Sequence, residues 1–251
     1  PQSYVLGGRN HPLHINSCMG ILISFSALSF PSLAAEYITF TDYSESFIPD
    51  GSDGKLEVNA SGEAGEDGYL YLNKSIKEMI PETVSGENLN GSELEEYTKG
   101  NVSYYRIKVA DNTAPAEVHA VFHCPGFYDF TKKAETNGAE AYSVNYKFTN
   151  QLKSKIESYH VQIAVPEGNE IISVTKPSAY ADYELSLTEG MRTVGLTKAA
   201  APSSSIELAF TYNRPFVSTA VGKGVVWVLC LGIGLFVLIE RYKKAKEDTA
   251  K

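Results

Sequence analysis

The stretch Tyr159-His160-Val161-Gln162-Ile163-Ala164-Val165 alternates apolar and polar side chains and stops at Pro166-Glu167-Gly168-Asn169. Period two puts Tyr159, Val161, Ile163 and Val165 on one face of a strand, and the proline and glycine that follow supply a turn. The same pattern recurs on both sides. Tyr142, Val144, Tyr146 and Phe148 form one such face, and Ile206, Leu208, Phe210 and Tyr212 another. Val102 to Val109, Glu117 to Cys124, Glu170 to Thr175, Tyr180 to Leu187 and Arg192 to Thr197 read as further strands, the last two joined through Glu189 and Gly190. Short strands about every ten residues with turn residues between them predict a mainly β fold, an antiparallel β-sandwich of the Ig-like kind.

One or two short helices are expected beside the sheets. Ser92 with Glu95 three residues on is a capping box, so Glu93 to Lys99 reads as a helix stopped at Gly100. Asn73 caps a second from Lys74 to Ile80, ended by Pro81.

Further along, Gly224 to Ile239 contains no charged residue and is followed by Glu240, Arg241, Lys243, Lys244 and Lys246. An uncharged apolar helix before a cationic cluster is what the hydrocarbon core and the positive-inside rule select together. Counting back to Val221 brings the span to the length a bilayer requires. It includes Lys223, whose aliphatic stem lies along the helix while its ammonium reaches the head groups, and Trp227 near the outer surface. Lys223, Trp227, Arg241, Lys243 and Lys244 are therefore the expected anchor residues of a single-pass, type I membrane protein, with residues 221–239 in the bilayer and the C-terminal residues cytoplasmic. The plainer reading, a buried core helix of a soluble protein, leaves the basic cluster unexplained.

The first 35 residues lack Asp and Glu, and the apolar run from Met19 to Phe30 leads to Pro31-Ser32-Leu33-Ala34-Ala35, a small-residue cleavage pattern. The organisation expected is a signal leader over 1–35, a mixed part over 36–100, a membrane-proximal β-sandwich over 101–213, the membrane helix over 221–239 and a cytoplasmic segment over 240–251. Of the three cysteines, Cys18 falls in the leader and Cys230 in the membrane helix, so Cys124 has no partner for an internal disulfide. Four Asn-x-Ser triplets, at Asn59, Asn73, Asn90 and Asn101, match glycan acceptors.

Between Glu36 and Ala220 there are 27 acidic and 15 basic residues, a net of −12. Such a body is repelled by phosphate backbones, which argues against nucleic acid as a partner. The acidity concentrates between Asp42 and Asp67, where carboxylates alternate with glycine in a spacing unlike an EF-hand loop, leaving calcium a secondary candidate.

One constellation points to metal chemistry. On the strand from Glu117 to Cys124, alternation puts Glu117, His119 and His123 on one face and Cys124 on the other. Next-but-one residues lie roughly 6.6 Å apart, so Glu117 and His119 have the reach to share zinc or copper, while His123 needs ligands from a neighbouring strand. The structural alternative is a polar outer face over an apolar inner one with an inert core thiol. The chain has no Gly-x-Ser-x-Gly elbow, His-Glu-x-x-His, P-loop or dinucleotide fingerprint. Sixteen tyrosines, several in near-adjacent pairs, supply amphipathic contact area. The reading is therefore a non-enzymatic, membrane-anchored extracytoplasmic module that binds a protein or surface polymer or serves as accessory subunit of a membrane complex. Alternatives are a zinc- or copper-binding surface domain and a β-sandwich hydrolase acting on a cell-surface polymer.

Overall fold

The computed structural model describes residues 39–128, 133–136 and 139–249. The leader expected over 1–35 lies outside them.

Fourteen strands run along the described residues: β1 (Thr39–Asp50), β2 (Asp53–Glu63), β3 (Tyr69–Asn73), β4 (Ile80–Glu87), β5 (Glu95–Lys99), β6 (Val102–Lys108), β7 (Ala116–Cys124), β8 (Lys133–Thr136), β9 (Ala139–Thr149), β10 (Ile156–Ala164), β11 (Glu170–Lys176), β12 (Glu184–Thr188), β13 (Met191–Ala200) and β14 (Ser205–Asn213). A single long helix, α1 (Ala220–Thr249), follows them. The strands form a sandwich-like set of three sheets: seven strands in the order β12-β13-β10-β1-β2-β7-β4, four in the order β11-β14-β9-β8, and three in the order β3-β6-β5. Among the described residues all strand pairings are antiparallel but one, the parallel pairing of β1 with β10, which sets Tyr43 beside Tyr159 at the centre of the large sheet.

Alternation drives the layering. Tyr159, Val161 and Ile163 of β10 are fully buried, as are Leu56 and Val58 of β2 and Phe122 of β7. From the four-stranded sheet, Tyr146 and Phe148 of β9 and Leu208 and Phe210 of β14 close the core. Aromatic contacts join the sheets: Phe148 stacks on Tyr159 at 3.9 Å between centroids and Phe47 meets Tyr146 at 5.0 Å. The three-stranded sheet is held to the large one through Tyr105 and Phe122, 5.2 Å apart. Burial of side chains this size stabilises by about 2–3 kcal/mol each relative to exposure.

The two expected helices are corrected. Glu95–Lys99 is β5, paired to β6 through a two-residue turn in which Gly100 has φ 65°. Gly100 thus supplies the left-handed residue of a hairpin rather than a helix stop. No helix forms over residues 74–80, because Asn73 faces inward, fully buried, and Ile80 and Pro81 already pair with β7. The short helical pieces lie elsewhere, as 3-10 turns at Tyr180–Asp182 and Phe216–Ser218. The Glu189–Gly190 connection between β12 and β13 has φ 51° and 82°, the two positive values of a tight hairpin turn.

At the other end, β14 reaches α1 through Arg214, Pro215 and the second 3-10 turn. Thr219 caps α1, its Oγ1 accepting from the Gly222 N–H at 3.0 Å, while its own N–H donates to the Phe216 carbonyl at 3.0 Å. A Cβ on Gly222 would sit 1.8 Å from that carbonyl, so only glycine permits this close turn.

Candidate functional site

The outward face of the seven-stranded sheet is polar. Register sets Ser44 of β1 beside His160 of β10 on one side and Asn59 of β2 on the other, and Asn59 beside His119 of β7. Both imidazoles are tied down: His119 Nδ1 lies 2.7 Å from Asn59 Oδ1 and His160 Nδ1 lies 2.8 Å from Thr197 Oγ1. At the β4 side of this face is a shallow depression of about 230 Å³ lined by Asp42, Ser44, Asn59, Glu87, Glu117 and His119. Glu117 and Glu87 are direct cross-strand partners there, two carboxylates facing each other beside an imidazole. Asp42, Glu87 and Glu117 give the depression an acidic rim that repels anions, while Ala60, Gly86 and Val118 leave much of its lining apolar.

Of the residues read from sequence as metal ligands, the structure brings Glu117 and His119 into this one depression. His123 lies at the far end of β7, its Nε2 3.4 Å from Asp53 Oδ2 on β2. Among the described residues no three His, Cys, Asp or Glu side chains converge as a metal centre. Cys124, on the opposite face of β7, is fully buried. Burial pushes its thiol up to about 12, so it carries no thiolate at neutral pH.

A second polar cluster lies inside the core. Glu45 is on the inner face of β1, between Tyr43 and Phe47, with no solvent exposure. Its carboxyl accepts from Tyr159 OH at 2.7 Å, and from Ser75 Oγ and Tyr146 OH. Burial raises its pKa above the usual carboxylate value, opposed by these three donors. Sequence reasoning missed this residue. The signal was present, because Tyr43 and Phe47 flank Glu45 at period two and place it on the apolar face. The cluster is enclosed by aromatic rings and joins the large sheet to β9, which makes it a register lock between layers.

The acceptor triplets divide by position. Asn73 is fully buried, and Asn59 is bonded to His119 in mid-sheet. Asn90 and Asn101 are exposed in a loop and a hairpin turn.

The anchor residues all fall on α1. The stretch Ala220–Lys246 is long and apolar enough to cross a membrane; its most apolar 18 residues have a mean hydropathy of 2.2, and only 6% of them are buried against the protein. Lys223 lies in its first turn, and Trp227 is 69% exposed. Arg241, Lys243 and Lys244 follow the apolar part, with Lys243 Nζ 3.8 Å from Glu240.

No family model matches the chain, and no curated protein matches it. Among solved structures, it is similar to an M1 zinc metallopeptidase from Deinococcus radiodurans at 10% identity, with a TM-score of 0.40 over 73% of this chain and 44% of that one. It is also similar to a Legionella pneumophila protein whose name suggests nutrient binding, at 8% identity and a TM-score of 0.44, over 76% of this chain and 71% of that one. The chain thus spans less than half the length of the metallopeptidase chain.

Proposed function

We propose that this chain is a single-pass, membrane-anchored binding module, its β-sandwich held on the extracytoplasmic side, where it engages a protein partner as a non-enzymatic surface domain or accessory subunit. The observation that carries the reading is α1. Leu229, Leu231, Ile233, Leu235 and Phe236 on it are each 60% exposed or more, and such a surface is stable only against lipid or other helices. The cationic residues after it orient the β body away from the cytoplasm. The flat outer face of the large sheet, with its fixed imidazoles and small hydroxyl side chains, adds a broad area suited to a polar protein surface.

Full-length protein expressed with an epitope after β14 and another after α1 tests both halves of the proposal. It should resist carbonate extraction, and protease added to intact cells should remove the first epitope and spare the second. Release by carbonate, or protection of the first epitope with loss of the second, refutes it. Mild detergent extraction followed by cross-linking should then recover a stoichiometric complex, and recovery of bare monomer alone would remove the binding role.

A further inference from the structure

Sheet edges attract other strands unless they are blunted, and natural proteins blunt them with proline, bulges, charge or cover. The large sheet has two edges. Its β4 edge is blunted: Pro81 removes a donor, the register shifts between Pro81 and Thr83, and Glu82 and Glu87 add charge. The facing sheet's β11 edge is broken by two register shifts and ends in Lys176. The β12 edge carries only one of these devices, the charge of Glu184 at its first position. Its five residues, Glu184-Leu185-Ser186-Leu187-Thr188, pair with β13 in unbroken register, contain no proline or lysine, and are paired on one side only among the described residues.

β12 also overhangs the core. Leu185 is the cross-strand partner of fully buried Val194, so its side chain and that of Leu187 point to the inner side of the sheet. Both are nevertheless exposed, Leu185 at 49% and Leu187 at 62%, and with Glu170, Ile171 and Arg192 they line a groove of about 330 Å³ beside β11. Two inward-facing leucines at an open edge are a half-built layer.

We infer that the β12 edge is completed by β12 of a second copy of this chain, pairing antiparallel about Ser186. The segment is its own complement in that register. Leu185 of each copy meets Leu187 of the other on the inner face, Ser186 meets Ser186, and Glu184 meets Thr188, so no like charges are opposed. A one-residue slip in either direction sets a leucine opposite a polar residue and turns one copy's leucines to the other face, and a two-residue slip pairs only three of the five residues, so the register centred on Ser186 is favoured. The inference deepens the binding-module reading by naming one partner and its surface.

The test uses the full chain in lipid vesicles with Cys18→Ala and Cys230→Ala, leaving buried Cys124 unreactive. Ser186→Cys then places two thiols at directly opposed positions within disulfide reach, and Glu167→Cys in the β10–β11 turn serves as the control. Under mild oxidation the Ser186→Cys chain should become mostly covalent dimer and the Glu167→Cys chain remain monomer. Leu187→Lys should weaken self-association in detergent, measured by light scattering, at least tenfold with an unchanged melting temperature. Equal cross-linking at the two cysteine positions, or a Ser186→Cys adduct with a different protein, overturns the proposal. Neither result changes the carbonate or protease outcomes, so failure here is separable from failure of the anchored-module reading.

Discussion

Replacing Glu45 by Gln isolates the energetics of the buried carboxyl. Gln has the same shape, its carbonyl oxygen accepts from Tyr146 and Tyr159, and its amide donates to Ser75, so the hydrogen-bond network survives without a charge. The parent and the variant then differ chiefly in titration. Burial raises the folded-state pKa of Glu45 above the ordinary carboxylate value. A raised carboxyl pKa favours the folded state fully below the unfolded value and loses that advantage as pH rises through the folded value. Below about pH 4 the two proteins should differ in stability by a constant amount. Above it, the unfolded chain sheds a proton that the folded chain retains, and the parent should lose stability relative to the variant by about 1.4 kcal/mol per pH unit until the folded carboxyl ionises. All other groups titrate alike in the two chains and cancel in the difference. Guanidinium unfolding of both full-length proteins in detergent micelles, at half-unit steps from pH 3.5 to 7, reads this difference directly. A gap that stays flat across that range would refute the raised pKa and with it the account of Glu45 as a desolvated acid.

Other perturbations follow from single contacts. Tyr159→Phe removes a hydroxyl bonded to Glu45 and should cost about 2 kcal/mol in denaturant unfolding, and less in the Glu45→Gln background, so that the double-mutant cycle gives a coupling of about 1 kcal/mol. Asn150→Ala should cost about 2–3 kcal/mol, because its buried amide donates to the Ser154 and Ala200 carbonyls and accepts from the Leu152 N–H; a loss under 1 kcal/mol would show that water replaces it freely. Cys124 should resist alkylation at pH 8 until the protein is denatured, as mass spectrometry of the intact protein would report, given a thiol pushed up to about 12. Gly222→Ala should open the turn before α1 and increase proteolysis between Asn213 and Ala220; unchanged cleavage would show that the turn yields without cost.

How much of this was legible in the sequence depends on whether a strand kept its period. β7, β9, β10 and β14 did, and their inner faces are the ones that the alternation indicated. β1 did not. A register shift between Phe40 and Asp42 breaks the period, and Glu45 puts a charge where an apolar side chain is expected. β2 buries Gly54, Ala60 and Gly62 on its inner face, residues too small to mark a strand. β5 failed for another reason: Ser92 and Glu95 satisfy a local helix rule, but Arg106 of β6 reaches Glu95 through Nε at 3.0 Å and Nη2 at 2.9 Å, and the hairpin prevails. At the candidate site, Glu117 and His119 were readable because they share a strand. Asp42, Asn59 and Glu87 arrive from β1, β2 and β4, and no local pattern relates strands that distant in the chain.

The Thr219 cap and the bare Cα of Gly222 bind the second 3-10 turn to the first turn of α1, so the turn and the helix move as one piece. Under the anchored reading proposed above, a rotation of the helix about its long axis, or a change in its lean when it meets a neighbour, is carried directly to Phe216 and Val217, and Arg214 and Pro215 alone separate that piece from β14. Any hinge between helix and strands is thereby confined to those two residues, one of them a proline with fixed φ.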